Sequence, residues 1–234
     1  MLTLLITLVP PLLILLYFVL TDKFKEPKGT VILIFFLGFL ICLPAGILNG
    51  LSHDFFYDGS KYSDNLTSSF LGPAWAEELL KFSILYLIVL KRNEFNEPMD
   101  GLVYGVVVSL GFATYENYTY VYEWAEQIAK DEGYDFAELS YLVAVGRSYS
   151  AIPLHGLNGA VMGYYFGMYA FTGNKNFLIL SLILPYLFHG FYNFLGWPDS
   201  MWVILALVFS SLYLHRDLKR KQKNKKSEDE KIKI

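Results

Sequence analysis

Long runs without a charged side chain dominate the pattern of hydrophobic and polar positions along the chain. Residues 2–20 and 31–51 contain no charged residue, and each run is long enough to cross the ~30 Å hydrocarbon core of a bilayer as a helix. Apolar segments recur as far as residue 214. The pattern predicts seven spans, at about residues 2–20, 31–51, 69–90, 99–122, 150–171, 177–195 and 200–214. A further short helix, either amphipathic or re-entrant, is predicted at 136–149.

The composition agrees with this pattern. The 234 residues are 54% hydrophobic and only 18% charged, against about a quarter charged in soluble domains. A disordered chain and a water-soluble single core are therefore not expected. We predict an all-α, polytopic transmembrane helical bundle with one domain over residues 1–215 and a basic tail at 216–234. The single cysteine, Cys42, allows no disulfide within the chain.

Lysine and arginine are distributed unevenly between the loops. Of the nineteen, fifteen fall in the loops 21–30, 91–98 and 172–176 and in the tail, whereas the alternate loops contain two. Because cytoplasmic loops collect basic residues, we predict an N-terminus outside the cell and a cytoplasmic C-terminus. No basic segment precedes the first apolar run, so we expect an uncleaved first span. The tail is expected to be solvated and partly disordered, and no nucleic-acid binding is expected.

Polar and ionisable residues inside or beside four consecutive spans are candidate functional residues, because charges are costly in a bilayer. The candidates are Glu77, Glu78, Lys81, Glu116, Asn117, Arg147, His155, Asn158, His189 and Asn193. Helical spacing places the members within each span on one face. Counted from the predicted outer ends, Glu77, Glu116, His155 and His189 all lie about 8–12 Å deep. Spans of alternating direction thus bring them to one layer, in the outer third of the membrane.

Carboxylates and imidazoles in one layer suit the activation of water. A carboxylate can accept a proton from water, and a histidine can polarise the substrate or shuttle that proton. An asparagine amide can donate a hydrogen bond to an oxyanion. Lys81 is expected to keep the nearer of Glu77 and Glu78 ionised. The chain has no HExxH, GxSG or GxGD motif, which disfavours the zinc site-2, serine and aspartyl classes of intramembrane protease.

Structural roles are possible for the same residues. Glu77 and Glu78 can form an ion pair with Lys81, and His155 can serve as an interhelical hydrogen-bonding group. Arg147 can snorkel to the interface, or it can hold a substrate or a carboxylate.

Other positions are expected to act only in helix structure. Asn117 can cap its helix. Gly101, Gly105 and Gly111 are predicted to allow close helix approach, and Pro185 is expected to kink its helix.

An ordered set of motifs resembles the PrsW family of intramembrane proteases over about residues 70–195. The motifs are Glu77-Glu78-Leu79-Leu80-Lys81, the segments 97–105 and 110–117, Pro153-Leu154-His155, and His189-Gly190-Phe191-Tyr192-Asn193. The set is similar to the EExxxR, FxxxH and HxxxN motifs of the CAAX prenyl endopeptidase and bacteriocin-processing superfamily. Lys81 stands one position before that group's arginine, and Glu116 replaces its histidine. These departures argue against a prenylated substrate.

The resemblance implies a membrane-embedded glutamic endopeptidase, with a catalytic core at about 69–195. It would cleave a membrane-anchored anti-sigma factor in its extracytoplasmic portion. Glu77 is then expected as the general base and Glu78 as its orienting partner, although the two roles are interchangeable at this stage. Glu116 is a second acid/base or water-positioning group, and His189 and Asn193 stabilise the oxyanion with help from His155. Lys81, Asn117, Asn158 and Arg147 support these groups.

The expected partners are a single-span membrane protein substrate and the lipid bilayer. We expect a multi-pass location in the cell membrane, with the active site near the extracytoplasmic side. No cofactor is expected.

Three other functions are weighed. A metal-dependent hydrolase could bind zinc through Glu77, Glu116, His155 and His189. A proton- or cation-coupled transporter could use the same carboxylates, but the polar layer lies on one side and no inverted repeat is visible. A membrane scaffold with an inactive site would not require the complete polar set.

Overall fold

The chain is helical throughout the part that the structure describes. A computed structural model describes the backbone of residues 1–232 and their side chains except those of 62, 63 and 224–232. The helices are α1 (Leu2–Thr21), α2 (Lys28–Leu40), α3 (Cys42–Phe56), α4 (Lys61–Leu66), α5 (Trp75–Leu87), α6 (Pro98–Tyr118), α7 (Ala125–Glu132), α8 (Phe136–Tyr149), α9 (Ala151–Thr172), α10 (Lys175–Leu195) and α11 (Met201–Ile232). Two π-helical segments (Thr67–Ala74 and Thr119–Trp124) and a 3₁₀ turn (Val89–Lys91) complete them. Residues 1–232 contain no strand, as predicted.

Four stretches within the described residues are long and apolar enough to cross a bilayer: Leu2–Thr21, Lys28–Phe56, Lys175–Leu195 and Met201–Lys223. Large apolar side chains on their outer surfaces, such as Leu13, Ile47, Ile179 and Phe209, are exposed. The other three predicted spans fall on α5, α6 and α9, which carry Glu77, Glu78, Lys81, Glu116 and His155. These features are consistent with a multi-pass membrane location.

The predicted span at 31–51 is interrupted. α2 ends at Leu40, and α3 begins at Cys42. Pro44 has no backbone N–H to donate to the carbonyl of Leu40, so a regular helix cannot continue through this point without losing a hydrogen bond. After the break, α3 packs against the π-helical segment Thr67–Ala74 and against α5.

A glycine seam joins α6 and α9 at the centre of the bundle. A Cβ atom on Gly105 would overlap the backbone of Gly159 and Gly163, and one on Gly101 would overlap Gly163 and the following turn of α9. Gly111 makes an equally close approach to α2. The prediction that the glycines of α6 allow close helix approach is therefore confirmed, and α6 is enclosed on nearly all sides.

The tail is more ordered than we expected. Instead of becoming irregular after residue 215, α11 continues to Ile232, and residues 233–234 lie outside the described part. Leu218 is 1% exposed and Gln222 is 4% exposed. They lie one turn apart on a face that packs against the bundle, and Asp217 beside them accepts a hydrogen bond from Tyr164 at 2.8 Å. The charge composition of the tail gave no indication of this narrow buried face.

The short helix predicted at 136–149 is confirmed as α8. Its first turn is capped by Asp135, whose carboxylate accepts the backbone N–H of Glu138 at 2.8 Å, a common N-cap arrangement. α8 packs against α1 and α9. Its last turn carries Arg147 toward the end of α6.

Candidate functional site

The first turns of α5 carry Glu77, Glu78 and Lys81. The π-helical segment Thr67–Ala74 leads into them, and such segments often occur beside functional sites. Two close contacts fix this segment. Gly72 lies against Asn49 of α3, and the ring of Phe70 occupies the space where Gly190 of α10 has no Cβ.

The buried ammonium group of Lys81 connects α5 to α9. Its Nζ lies 2.9 Å from Glu78 Oε1 and 3.4 Å from Glu77 Oε2. It also lies 3.0 Å from His155 Nδ1, and 4.2 Å from the centre of the Phe112 ring. Lys81 is 0% exposed, so its charge is balanced by the two carboxylates rather than by water.

His189 brings α10 into the same cluster. Its Nδ1 lies 2.8 Å from Glu78 Oε1 and 3.9 Å from Glu77 Oε2. Because a carboxylate oxygen accepts, Nδ1 carries a proton, and in the neutral imidazole Nε2 then has a free lone pair. Among the described residues, Nε2 has no hydrogen-bond partner, and His189 lines a cavity.

A second set of contacts holds the end of α6. Arg147 donates from Nη2 to Glu116 Oε2 at 2.5 Å and from Nε to Asn117 Oδ1 at 2.9 Å. Asn117 in turn donates to the carbonyl of Thr7 in α1 at 2.8 Å. Arg147 also stacks on Tyr120, with 4.1 Å from Cζ to the ring centre. Of the roles considered for Arg147, the structure therefore favours holding a carboxylate.

His155 links the two sets. Its Nδ1 accepts from the Lys81 ammonium, which is a donor only. The ring proton is therefore on Nε2, which donates to Glu116 Oε2 at 3.0 Å. With both ring nitrogens occupied, His155 is positioned as a hydrogen-bonding link between α5, α6 and α9.

A cavity of about 590 Å³ opens over these groups. Its polar wall is formed by Glu77, Glu116, Arg147, His155, His189 and Asn193. Glu78 and Lys81 lie behind that wall. Neither Glu77 Oε1 nor the Asn193 amide has a hydrogen-bond partner among the described side chains, so both remain free to bind water or a substrate.

The structure therefore brings together nine of the ten predicted residues. Asn158 is the exception, because its Nδ2 donates to the carbonyl of Pro185 at 2.9 Å and it lies outside the cavity wall. It connects α9 to α10 instead.

Sequence reasoning missed other residues that line the cavity, including Asn49 of α3 and Tyr120. Tyr120 follows Glu116 by four residues, so helical spacing was a usable signal. Asn49 gave none, because the direction of α3 depends on the break after Leu40.

The polar cluster also has the donor chemistry of a metal site. Ligand atoms of Glu77, Glu78, His155 and His189 all lie within 4.8 Å of one another. Glu78 replaces Glu116 of the set expected from the sequence. Glu78 Oε2 is buried without a hydrogen-bond partner. Two histidines and two carboxylates fit zinc, although Lys81 now occupies the space between three of them.

The match to known proteins is consistent with this geometry. Residues 26–214 match the family model described as PrsW family intramembrane metalloprotease. The chain belongs to the PrsW family. The Protease PrsW of Bacillus subtilis (strain 168) is 34% identical over 204 residues, covering 86% of this chain and 85% of the relative.

Further relatives match over similar lengths. Protease PrsW of Oceanobacillus iheyensis is 33% identical, covering 87% of this chain and 86% of the relative. Protease PrsW of Clostridioides difficile (strain 630) is 30% identical, covering 87% of this chain and 83% of the relative. No solved structure gives a significant match. The resemblance expected from the motifs is confirmed: the chain is a member of a family of membrane proteases.

Proposed function

We propose that this member of the PrsW family cleaves a single-span membrane protein by means of a water molecule activated by Glu77. One observation carries the proposal. Glu77 and neutral His189 each have one free acceptor atom, Oε1 and Nε2, in the wall of the same cavity. A water molecule held by both acceptors through its two hydrogens leaves an oxygen lone pair for attack on a carbonyl carbon.

The residues divide the work as follows. Glu77 takes a proton from the water as the new C–O bond forms, and it returns that proton to the amine as the C–N bond breaks. Asn193 donates to the oxyanion formed between these steps. Glu78 accepts from His189 Nδ1 and so keeps Nε2 facing the cavity, and Lys81 balances the charge of Glu78. Glu116 is held by Arg147 and His155, which makes it a positioning group.

The substrate is proposed from the family resemblance to be a membrane-anchored anti-sigma factor, cut in its extracytoplasmic portion. Support for a membrane substrate comes from the cavity, which lies among helices with apolar outer faces. The excess of basic residues in one set of loops supports a site near the outer face.

The test is cleavage of a panel of single-span proteins by the purified chain in liposomes. Glu77→Gln keeps the side-chain volume and is expected to lower kcat by about 10²–10⁴-fold. Glu126→Gln on the exposed surface of α7 is the matched control and should keep wild-type activity. Product termini read by mass spectrometry give the cut bond. Full activity of Glu77→Gln would refute the assignment.

A metal-dependent reaction is the second candidate, favoured by the four ligand atoms within 4.8 Å and the unpartnered Glu78 oxygen. Glu77, Glu78, His155 and His189 would hold the ion, and Lys81 would have to withdraw from between them. Bound zinc would polarise the substrate carbonyl and acidify water. Elemental analysis of the purified protein, with activity measured after chelation, separates the two candidates. Stoichiometric zinc and chelator-sensitive activity would favour the metal.

A further inference from the structure

A second polar cluster lies at the other end of the bundle. Asp22 follows α1, Glu26 precedes α2, and Asp100 lies in the first turn of α6. One carboxylate oxygen from each lies within 4.8 Å of the others, and the three residues are 3%, 8% and 1% exposed. Asp100 and Glu116 are sixteen residues apart on one helix, about 24 Å. The cluster is therefore separate from the cavity described above.

Two of these acids each have a buried oxygen to which no N–H or O–H group of the described residues donates. Asp22 Oδ1 accepts from the Phe24 amide at 3.2 Å and from Gln222 Nε2 at 2.8 Å, but Asp22 Oδ2 is buried without a partner.

The same division holds for Asp100. Its Oδ2 accepts from the amides of Asn96 and Glu97 at 2.7 and 2.8 Å, whereas Oδ1 is buried without a partner. In both acids, one oxygen is fixed by the fold and the other remains open.

No basic side chain balances this charge among the residues whose side chains are described. Lys25 is near in sequence, but its ammonium donates to main-chain carbonyls at the end of α1, including that of Asp22 at 2.6 Å. Glu26 accepts a hydrogen bond from the hydroxyl of Tyr104. Burial, with a contribution from the Asp22 charge, raises the pKa of Glu26 above its usual range. Buried like charges are unfavourable unless something positive offsets them.

We propose that Asp22, Glu26 and Asp100 bind a hard divalent cation of the Ca²⁺ or Mg²⁺ type. The donors are all oxygens, which these ions prefer. At Ca²⁺–O distances of about 2.3–2.6 Å, ligands on opposite sides of the ion lie about 5 Å apart. The three carboxylate oxygens lie within that span of one another. The ion joins α1, α6 and, through Gln222, α11.

Thermal unfolding of the full chain in detergent micelles tests the site. Ca²⁺ and Mg²⁺ are titrated separately against a chelated sample. The wild-type midpoint should rise by about 5–10 °C at a concentration a hundredfold above Kd. His189→Ala should show the same rise, which excludes the cavity cluster as the source. Glu94→Gln, which removes an acid from the same loop region, is the control and should also keep the rise.

Substitution of an acid in the cluster should change the unfolding temperature in opposite directions with and without the cation. In chelator, Glu26→Gln should unfold at a higher temperature than wild type, because one repelling carboxylate is gone. With saturating cation it should be the less stable of the two, because the binding gain is lost. Asp22→Asn is the second variant if Glu26→Gln fails to fold.

Terbium, a luminescent Ca²⁺ substitute, supplies a direct readout. Tb³⁺ emission excited through tyrosine should be present in the wild type, displaced by Ca²⁺ and weaker in Glu26→Gln. Tyr104 is the expected donor because it contacts Glu26. The proposal fails if neither cation shifts the wild-type midpoint and Glu26→Gln is the more stable protein in every buffer. That result would mean that a proton shared between carboxylates fills the cluster.

Discussion

Arg147 and Glu116 show how a single contact reverses the interpretation of two residues. As separate positions in the sequence, one suggests an interfacial cation and the other a second catalytic acid. Together they form a largely shielded pair at 2.5 Å, with side chains 14% and 15% exposed. Each is the main reason that the other is tolerated near the cavity.

This pairing predicts strong coupling between the two substitutions. Arg147→Met leaves a poorly solvated carboxylate, and Glu116→Gln leaves a poorly solvated guanidinium, so each alone should destabilise the protein. The double variant should lose less unfolding free energy than the two single variants lose in sum. The expected coupling free energy is about 1–3 kcal/mol. Unfolding free energies of the four proteins give this value. The exposed Lys130–Glu126 pair is the control, where less than about 1 kcal/mol is expected. Additive losses at Arg147 and Glu116 would show that their contact contributes nothing.

Residue contacts of this kind were only partly predictable. Glu77, Glu78 and Lys81 were assigned to one face because helical spacing is a local property of the chain. The contacts of Lys81 with His155 and of Arg147 with Glu116 depend on how separate helices rotate and tilt. That information lies in the packing of all the helices together, so no spacing rule could reveal it.

At the scale of elements, the α6–α9 seam sets the positions of Glu116 and His155. Gly105→Ala should push the two helix backbones apart and destabilise the protein by about 1–3 kcal/mol or more. Gly50→Ala is the matched control, because its Cβ meets nothing within 4 Å and alanine favours a helix by about 1 kcal/mol. Unfolding midpoints of both variants measure the difference. Equal stability of the two variants would contradict the close approach.

The contact between Phe70 and Gly190 couples the π-helical segment to α10. Gly190→Ala should displace the Phe70 ring and shift α5 relative to His189. Because displacements of about 1 Å can cost 10²-fold in rate, we expect a 10- to 100-fold loss of cleavage. Phe70→Leu in the same chain should restore much of the activity by making room. A double variant as inactive as Gly190→Ala alone would mean that the ring contact is not the cause.

Two elements differ from expectation for physical reasons. The α2–α3 break arises from one missing N–H, at Pro44, inside an otherwise uniform apolar run. The tail is helical because Leu218 and Gln222 find partners in the bundle. Hydrophobic periodicity identifies long elements well, but both of these outcomes depend on a few specific atoms.

At the scale of the whole molecule, the distribution of basic residues predicts which end faces the cytoplasm. In a Cys42→Ala background, Asp54→Cys should react with a membrane-impermeant maleimide on intact cells. Asn174→Cys should react only after the membrane is permeabilised. Both positions are exposed, and Asp54 lies in the last turn of α3, on the same side as the cavity. The opposite labelling pattern would place the cavity toward the cytoplasm.

The glycine seam also has a consequence for energy conservation in the cell. A protein that keeps a wet, ionisable cavity inside a bilayer risks conducting protons along its own axis. Below the cavity, α6 and α9 meet backbone to backbone, surrounded by fully buried Leu102, Val106, Val107 and Met162. Apolar side chains and direct backbone contact leave few polar groups there to hold water. A close-packed seam of this kind is expected to act as a barrier to proton leakage, which separates water-dependent chemistry at one end of the bundle from the proton gradient across the membrane.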